Sequence, residues 1–156
     1  MTEGPKTFSY RRSRFSTRLP LDRRYTAAHY WLDAREDDRW RVGFTKFATR
    51  MLGDLVEHRF ESRAGDAIGL GQPIGWIEGF KAVTEVYSVV AGTFVGPNPE
   101  LDRDVTLVDS DPYGQGWLYE AQGAVDPDGL DAQGYAAHLD ATIDRMLAKE
   151  GGQSDG

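Results

Sequence analysis

"GWIEGFKAVTEVYS" (residues 75–88) reads as two short strand-forming runs joined at Gly79-Phe80-Lys81-Ala82, with an acid on either arm at Glu78 and Glu85. Tight hairpins ordinarily turn on Asn-Gly or Asp-Gly, because those residues tolerate positive φ. A lysine at the tip therefore needs its own account. The chain holds fourteen arginines and only four lysines, Lys6, Lys46, Lys81 and Lys149. Where positive charge alone is wanted, this sequence uses arginine. A primary amine does what a guanidinium cannot: it acts as a nucleophile and forms amides. Lys6 and Lys149 lie near the ends and Lys46 on a predicted helix surface, which leaves Lys81 as the one apex amine. A solvated turn lysine is the commoner case, so the turn alone does not assign it.

Outward from this hairpin the strand-like runs are short and closely spaced: "HYWLDA" from His29, "RWRVGF" from Arg39, "DLVEHRF" from Asp54, "GTFVG" from Gly92 and "GWLYEA" from Gly116. Many are bounded by Gly, Pro, Asn or Asp, a pattern of small sandwiches and barrels. The chain is thus expected to be mainly β with short helices. "TKFATRMLGD" predicts one helix near 45–52, capped by Thr45, stopped by Gly53 and burying Phe47, Met51 and Leu52. "DAQGYAAHLDATIDRMLAKEGG" predicts a C-terminal amphipathic helix near 131–149, with Tyr135, Leu139, Ile143, Met146 and Leu147 on one face and an end at Gly151. The expected division is a basic arm over 1–23, flexible or lying along the domain, one domain over 24–150, and a disordered tail over 151–156.

The length of 156 residues suits one domain with a real core. Without cysteine there are no disulfides, thiolate metal sites or cysteine nucleophiles. Residues 1–24 hold seven basic and two acidic side chains, the rest eleven basic and twenty-three acidic. An acidic body repels phosphates, which argues against nucleic acid, and suits docking on basic protein surfaces. No stretch is long and apolar enough to span a membrane, and no apolar segment reads as a secretory signal. The expected location is cytoplasmic, of bacterial type; a mitochondrial one would follow only if the Arg- and Ser-rich head were a transit peptide.

A catalytic apparatus is not evident. His29, His58 and His138 fall in different predicted elements, with neither a close pair nor an HExxH, so no metal site is expected. "GLGQPIG" (69–75) places its glycines before a strand and not between strand and helix, so it reads as a turn. "DPYGQGW" (111–117) is turn chemistry leading into a buried Trp117. No Ser/His/Asp spacing suggests a nucleophilic triad. The expectation is a non-catalytic protein.

The hairpin resembles the lipoyl-attachment hairpin of the glycine cleavage system H-protein family, whose members carry lipoic acid amide-linked to one lysine. "RYTAAHYWL" (24–32) is similar to that family's opening strand with its His-x-Trp. "VGFTKFATRMLGDLV" (42–56) is similar to its Val-Gly-hydrophobic-Thr helix closing on Leu-Gly-Asp. "AGD" (64–66), "GQPIG" (71–75), "GTFVGPNPEL" and "TLVDSDPYGQGWLYE" continue the likeness in order, over roughly residues 24–147. The resemblance implies a barrel-sandwich hybrid, lipoylation of Lys81, and a carrier role in glycine catabolism and one-carbon metabolism. The implied partners are the pyridoxal-phosphate glycine decarboxylase, the aminomethyltransferase, dihydrolipoyl dehydrogenase and a lipoate-attaching enzyme. Glu78 would help that last enzyme position the hairpin, and Gly79 would keep the turn open. A biotin carrier is the weaker match, because Phe80 and Ala82 stand where such hairpins place methionine. Lysine stem and acid together make an arm of about ten bonds, reaching on the order of 13 Å.

The sequence departs from the family at Tyr30, where an acid is usual, at Lys46 and Phe47, where Asp then His or Tyr is common, and at His58-Arg59-Phe60, where the family's strand usually runs Val-Glu-Leu and Arg59 puts a base in place of the acid. Gly79 replaces a Ser and Val89 a Pro. Some of those family groups shelter the loaded arm and hold its amine, so replacing acid by Tyr30 and Arg59 should weaken that hold. Two alternatives follow: a divergent H-like carrier that serves another enzyme or relays lipoyl groups, and an unmodified paralogue that only binds partners.

Overall fold

The computed structural model describes residues 6–154. Strand β1 (Thr7–Arg12) and β2 (Phe15–Pro20) form an antiparallel hairpin. Strands β3 (Arg24–Tyr25), β4 (Tyr30–Ala34) and β5 (Arg39–Phe44) follow, then helix α1 (Lys46–Leu52), β6 (Leu55–Phe60) and β7 (Ala67–Ile68). Next come β8 (Pro73–Gly79), β9 (Val83–Tyr87), β10 (Val90–Pro97), a 3-10 turn at Pro99–Asp102 and the one-turn helix α2 (Leu107–Ser110). Strand β11 (Tyr119–Val125) and helix α3 (Ala132–Ser154) complete the described chain. The strands group into a six-stranded sheet ordered β3-β4-β5-β11-β10-β7, a three-stranded sheet ordered β6-β8-β9, and the separate hairpin.

The two larger sheets bury a common core. From one come Leu32, Val42, Phe44, Phe94 and Tyr119, and from the other Leu55, Ile74, Ile77 and Val86. In β8 the period-2 alternation runs from Gly75 to Gly79, with Gly75, Ile77 and Gly79 buried while Trp76 and Glu78 are half-buried; Ile74, buried too, precedes it beside a register shift between Pro73 and Gly75. The expected barrel-sandwich hybrid is what the chain builds.

Strand β4 breaks that alternation, since Tyr30, Trp31 and Leu32 are all buried. Its outer face is covered too. Trp31 points into a second cluster with Tyr10, Phe15, Leu19, Tyr25, Phe47, Tyr135 and Leu139, contributed by the β1–β2 hairpin, α1 and α3. The indole N–H of Trp31 donates to the Pro112 carbonyl at 2.9 Å, and a Cβ at Gly43 would lie 2.5 Å from its ring. The cross-strand partner of Trp31 must therefore be glycine.

The helices start where expected. Thr45 caps α1 through its side chain, and Gly53 ends it at φ 76. Asp131 accepts from the Gly134 N–H at 2.7 Å at the start of α3. Three expectations need correcting. The buried face of α1 is Phe47, Thr49 and Leu52, whereas Met51 is exposed. Leu147 is also exposed, at the edge of the apolar face of α3. That helix runs on through Gly151 to Ser154; the rest of the predicted tail lies outside the described residues. Residues 7–20 of the basic head are a packed hairpin, with Tyr10, Phe15 and Leu19 buried.

Candidate carrier site at the β8–β9 turn

Strands β8 and β9 pair with Glu78 opposite Val83, and the Gly79 N–H donates to the Ala82 carbonyl at 2.9 Å to close the turn. The tip is held from outside as well. The Lys81 N–H donates to the Leu52 carbonyl and the Phe80 N–H to the Asp54 carbonyl, each at 2.9 Å. Leu52 is the last residue of α1, and its carbonyl has no acceptor role left within the helix. The C-terminus of α1 thus becomes a seat for the hairpin tip.

Two glycines allow the approach. A Cβ on Gly79 would run into the Leu52 carbonyl oxygen, and a Cβ on Gly53 would meet Lys81 Cγ at 2.9 Å and Cδ at 3.3 Å. By lacking a Cβ, Gly79 lets the turn close down on α1. Gly53, legible in the sequence only as a helix stop, leaves a cradle over which the lysine stem lies. That second role depends on contact between residues 28 positions apart in the chain, which no local pattern announces.

The side chains at the tip face solvent. Phe80 is 81 % and Val83 62 % exposed, and Lys81 Nζ is exposed, 3.5 Å from the Arg50 carbonyl. Among the described residues Lys81 has no acidic partner within ion-pair distance. Glu78 stands between Glu57 on β6 and Val83 on β9, so the face beside the turn is acidic.

Residues 23–132 match the family model described as glycine cleavage H-protein. The chain belongs to the glycine cleavage H-protein family. Its H-protein relatives include one from Alteromonas mediterranea, 38 % identical over 125 residues, covering 78 % of this chain and 96 % of the relative. One from Mycobacteroides abscessus is 37 % identical over 135 residues, covering 86 % and 95 %. The crystal structure of an H protein from Mycobacterium marinum superposes with a TM-score of 0.71 at 35 % identity, covering 78 % of this chain and 98 % of that one. The hairpin β1–β2 and nearly all of α3 lie outside the stretch the H-protein model matches.

Three of the positions that depart from the H-protein pattern, Tyr30, Lys46 and Phe47, have structural employment here. Tyr30 is buried between the sheets, and its hydroxyl accepts from the Tyr87 N–H at 2.8 Å. Burial pushes its hydroxyl pKa well above the ordinary tyrosine value, so it stays neutral. Lys46 is tied down, its Nζ donating to the carboxylate and carbonyl of Asp109, each at 2.9 Å. Phe47 belongs to the second core, and Arg59 is exposed on β6 opposite Trp76.

The histidines hold a correction. His29 and His138, far apart in sequence, lie with ring centroids 5.5 Å apart and their planes tilted by 33°. His29 Nδ1 lies 2.8 Å from the Tyr135 hydroxyl, which in turn lies 2.7 Å from Thr45 Oγ1. Burial, with His138 second, pushes the His29 pKa down to about 4. No group of three or more metal-ligating side chains occurs among the described residues. Trp117 is half-buried, with Arg41 stacked 4.4 Å from its ring centre. "GLGQPIG" is a turn, closed by the Gln72 N–H donating to the Gly69 carbonyl.

Proposed function

We propose that Lys81 carries a lipoyl group in amide linkage and that the chain serves glycine cleavage as the carrier between its enzymes, doing no chemistry with its own side chains. The observation that carries this reading is the seat of Lys81: an exposed primary amine on a tip fixed by backbone hydrogen bonds, its stem over the Gly53 cradle. That arrangement fits a lipoyl group, because amide formation removes the ammonium without leaving a carboxylate unpaired. A bound lipoyl group would supply a dithiolane that accepts an aminomethyl group from the glycine decarboxylase and yields it to the aminomethyltransferase. Dihydrolipoyl dehydrogenase would restore the disulfide.

The chain's own residues hold and present. Leu52 and Asp54 fix the tip through their carbonyls, Gly53 and Gly79 give the room, and Glu78 offers charge to a basic lipoate-attaching enzyme. In a lipoylating host the wild-type chain should gain one lipoyl increment in intact mass, and Lys81→Arg should gain none. A bare wild-type protein beside an active attaching system would refute the assignment.

One observation favours the divergent-carrier reading: the acid usual before Trp31 is replaced by Tyr30, which is buried and engaged with Tyr87. Glycine–bicarbonate exchange with a glycine decarboxylase separates the two. Exchange supports the glycine cleavage carrier; lipoylated protein that supports none leaves the divergent carrier.

A further inference from the structure

Among the described residues eight large apolar side chains are exposed, and four of them, Met51, Val56, Phe80 and Val83, stand where three elements meet at the β8–β9 tip. Met51 is in the last turn of α1. Val56 sits at the irregularity in β6 just after Leu55, the partner of Gly79. Val83 opens β9 opposite Glu78. Single exposed apolar groups are ordinary, but a cluster around one exposed amine marks a surface that another molecule covers.

Phe80 is the extreme member, 81 % exposed. A loose loop does not put it there. The N–H groups of Phe80 and Lys81 are bonded to the Asp54 and Leu52 carbonyls, so the backbone that carries the ring is fixed. The two side chains then part: Lys81 lies back over Gly53 with Nζ beside the Arg50 carbonyl, while the ring is left in water. A ring held out on a fixed backbone loses little freedom when a partner closes over it, and an aromatic side chain removes on the order of 150–250 Å² from water when buried. On the β6–β9 side of the tip stand three acids, Glu57, Glu78 and Glu85, against one base, Arg59. None of the three has an ion-pair partner among the described residues. A molecule that covers this tip must offer an apolar pocket with basic side chains at its rim.

Reach decides which partner that is. Forming an amide brings Nζ to within about 3–3.5 Å of the acyl carbon. A bare lysine extends only about 6 Å from its Cα, so the tip itself must enter the enzyme that acylates it. Once the arm is on, its end reaches roughly 13 Å, and later partners engage that end while the tip stays outside.

We propose that Phe80 is the residue by which the acylating enzyme takes hold of the tip, entering an apolar pocket beside that enzyme's acyl site, with basic side chains set against Glu57, Glu78 and Glu85. The inference rests on the lipoyl reading of Lys81. In the step so positioned, the neutral amine attacks the carbonyl carbon of a lipoyl adenylate. A C–N bond forms, the bond from that carbon to the phosphate oxygen breaks, and adenosine monophosphate leaves with the electron pair. The extra proton on nitrogen passes to solvent. Phe80 touches none of these atoms and is a positioning residue. Its contact exists before the step and persists through it, so it acts on KM and not on kcat.

Lipoylation of the full-length protein by an ATP-dependent lipoate-attaching enzyme, followed by intact mass over a range of carrier concentrations, tests this. Phe80→Ala should raise KM roughly tenfold or more with kcat unchanged. Phe80→Leu restores an apolar group and should recover most of the loss. Urea midpoints of both variants should match the wild type, because the ring is exposed. After lipoylation to completion, Phe80→Ala should be reduced to the dithiol by dihydrolipoyl dehydrogenase, with NADH as electron donor, at the wild-type rate. An unchanged KM for Phe80→Ala overturns the proposal while the attachment stands. A leucine variant as impaired as the alanine one overturns the apolar pocket. Slowed reduction of the completed Phe80→Ala protein overturns the assignment of the contact to the acylating enzyme. If the wild type gains no lipoyl increment, the attachment itself fails and this inference with it.

Discussion

At the scale of single residues, the site is a matter of which atoms are missing. Gly79 sits where any Cβ would strike the Leu52 carbonyl oxygen, a backbone atom that cannot step aside. Gly79→Ala should therefore cost about 1–3 kcal/mol, the usual penalty of overpacking. Urea unfolding measures it, and a cost under about 0.5 kcal/mol would show that the tip does not need to press on α1. Glu78 is different, being half-buried and without a hydrogen bond or ion pair among the described side chains. Glu78→Gln should leave stability unchanged yet slow lipoylation of Lys81 roughly threefold to tenfold, at most about 1.4 kcal/mol of transition-state binding. Attachment rates followed by intact mass, with fold checked by circular dichroism, decide the point. Equal rates would remove Glu78 from the recognition surface.

At the scale of elements, the sequence exposed the β8–β9 hairpin and both main helices, because their periodicities and caps are local. It concealed the β1–β2 hairpin. "TFSYRR" and "FSTRLP" bury only Tyr10, Phe15, Leu19 and Pro20 among arginines and hydroxyls, so their composition reads as a solvated arm. Their turn adds to the disguise, since Ser13 takes φ 55 where Gly or Asn would have announced it. The His29–His138–Tyr135 contact between the β3–β4 turn and α3 was equally invisible, being made by residues over a hundred positions apart. It has a consequence for pH. Folding holds His29 near a pKa of about 4, while the unfolded chain binds that proton near ~6.5. The unfolded state thus takes up the proton first, and stability falls as pH drops from about 6.5 toward 4. The loss should be on the order of 2 kcal/mol, allowing for partial exposure. His29→Asn, chosen because Asn tolerates the φ of 73 at that position, should lack that component. The wild-type advantage over the variant in denaturation free energy should shrink between pH 7 and pH 4.5. A difference independent of pH would mean that His29 titrates normally.

At the scale of the whole molecule, two cores share one strand. Tyr30 and Leu32 belong to the sandwich core, while Trp31 between them belongs to the layer made by the hairpin and α3. The tip that seats Lys81 rests on α1, and α1 also faces both ways, with Leu52 in the first core and Phe47 in the second. Loss of the outer layer therefore cannot leave the carrier site untouched, even though the hairpin and nearly all of α3 lie outside the residues that the H-protein model matches. Leu19 is fully buried in it, and Leu19→Ala should cost about 2–5 kcal/mol, a large share of the ~5–15 kcal/mol that domains have. Because β4 and α1 couple the layers, that loss should appear as one earlier transition, not two. Far-UV circular dichroism follows the sheets and tryptophan fluorescence follows Trp31 together with Trp40, Trp76 and Trp117, so coincident midpoints are the expected result. If the fluorescence change splits, with one part moving early and the ellipticity of the sheets unmoved, the hairpin and α3 form a separable cover. The pairing of the hairpin to α3 through Arg12, Asp140 and Asp144, exposed on both sides, would then be all that holds it, and exposed pairs contribute only about 0–1 kcal/mol each. The apolar contacts of Tyr10, Phe15 and Leu19 bury far more than such pairs secure, which is why a single transition is expected.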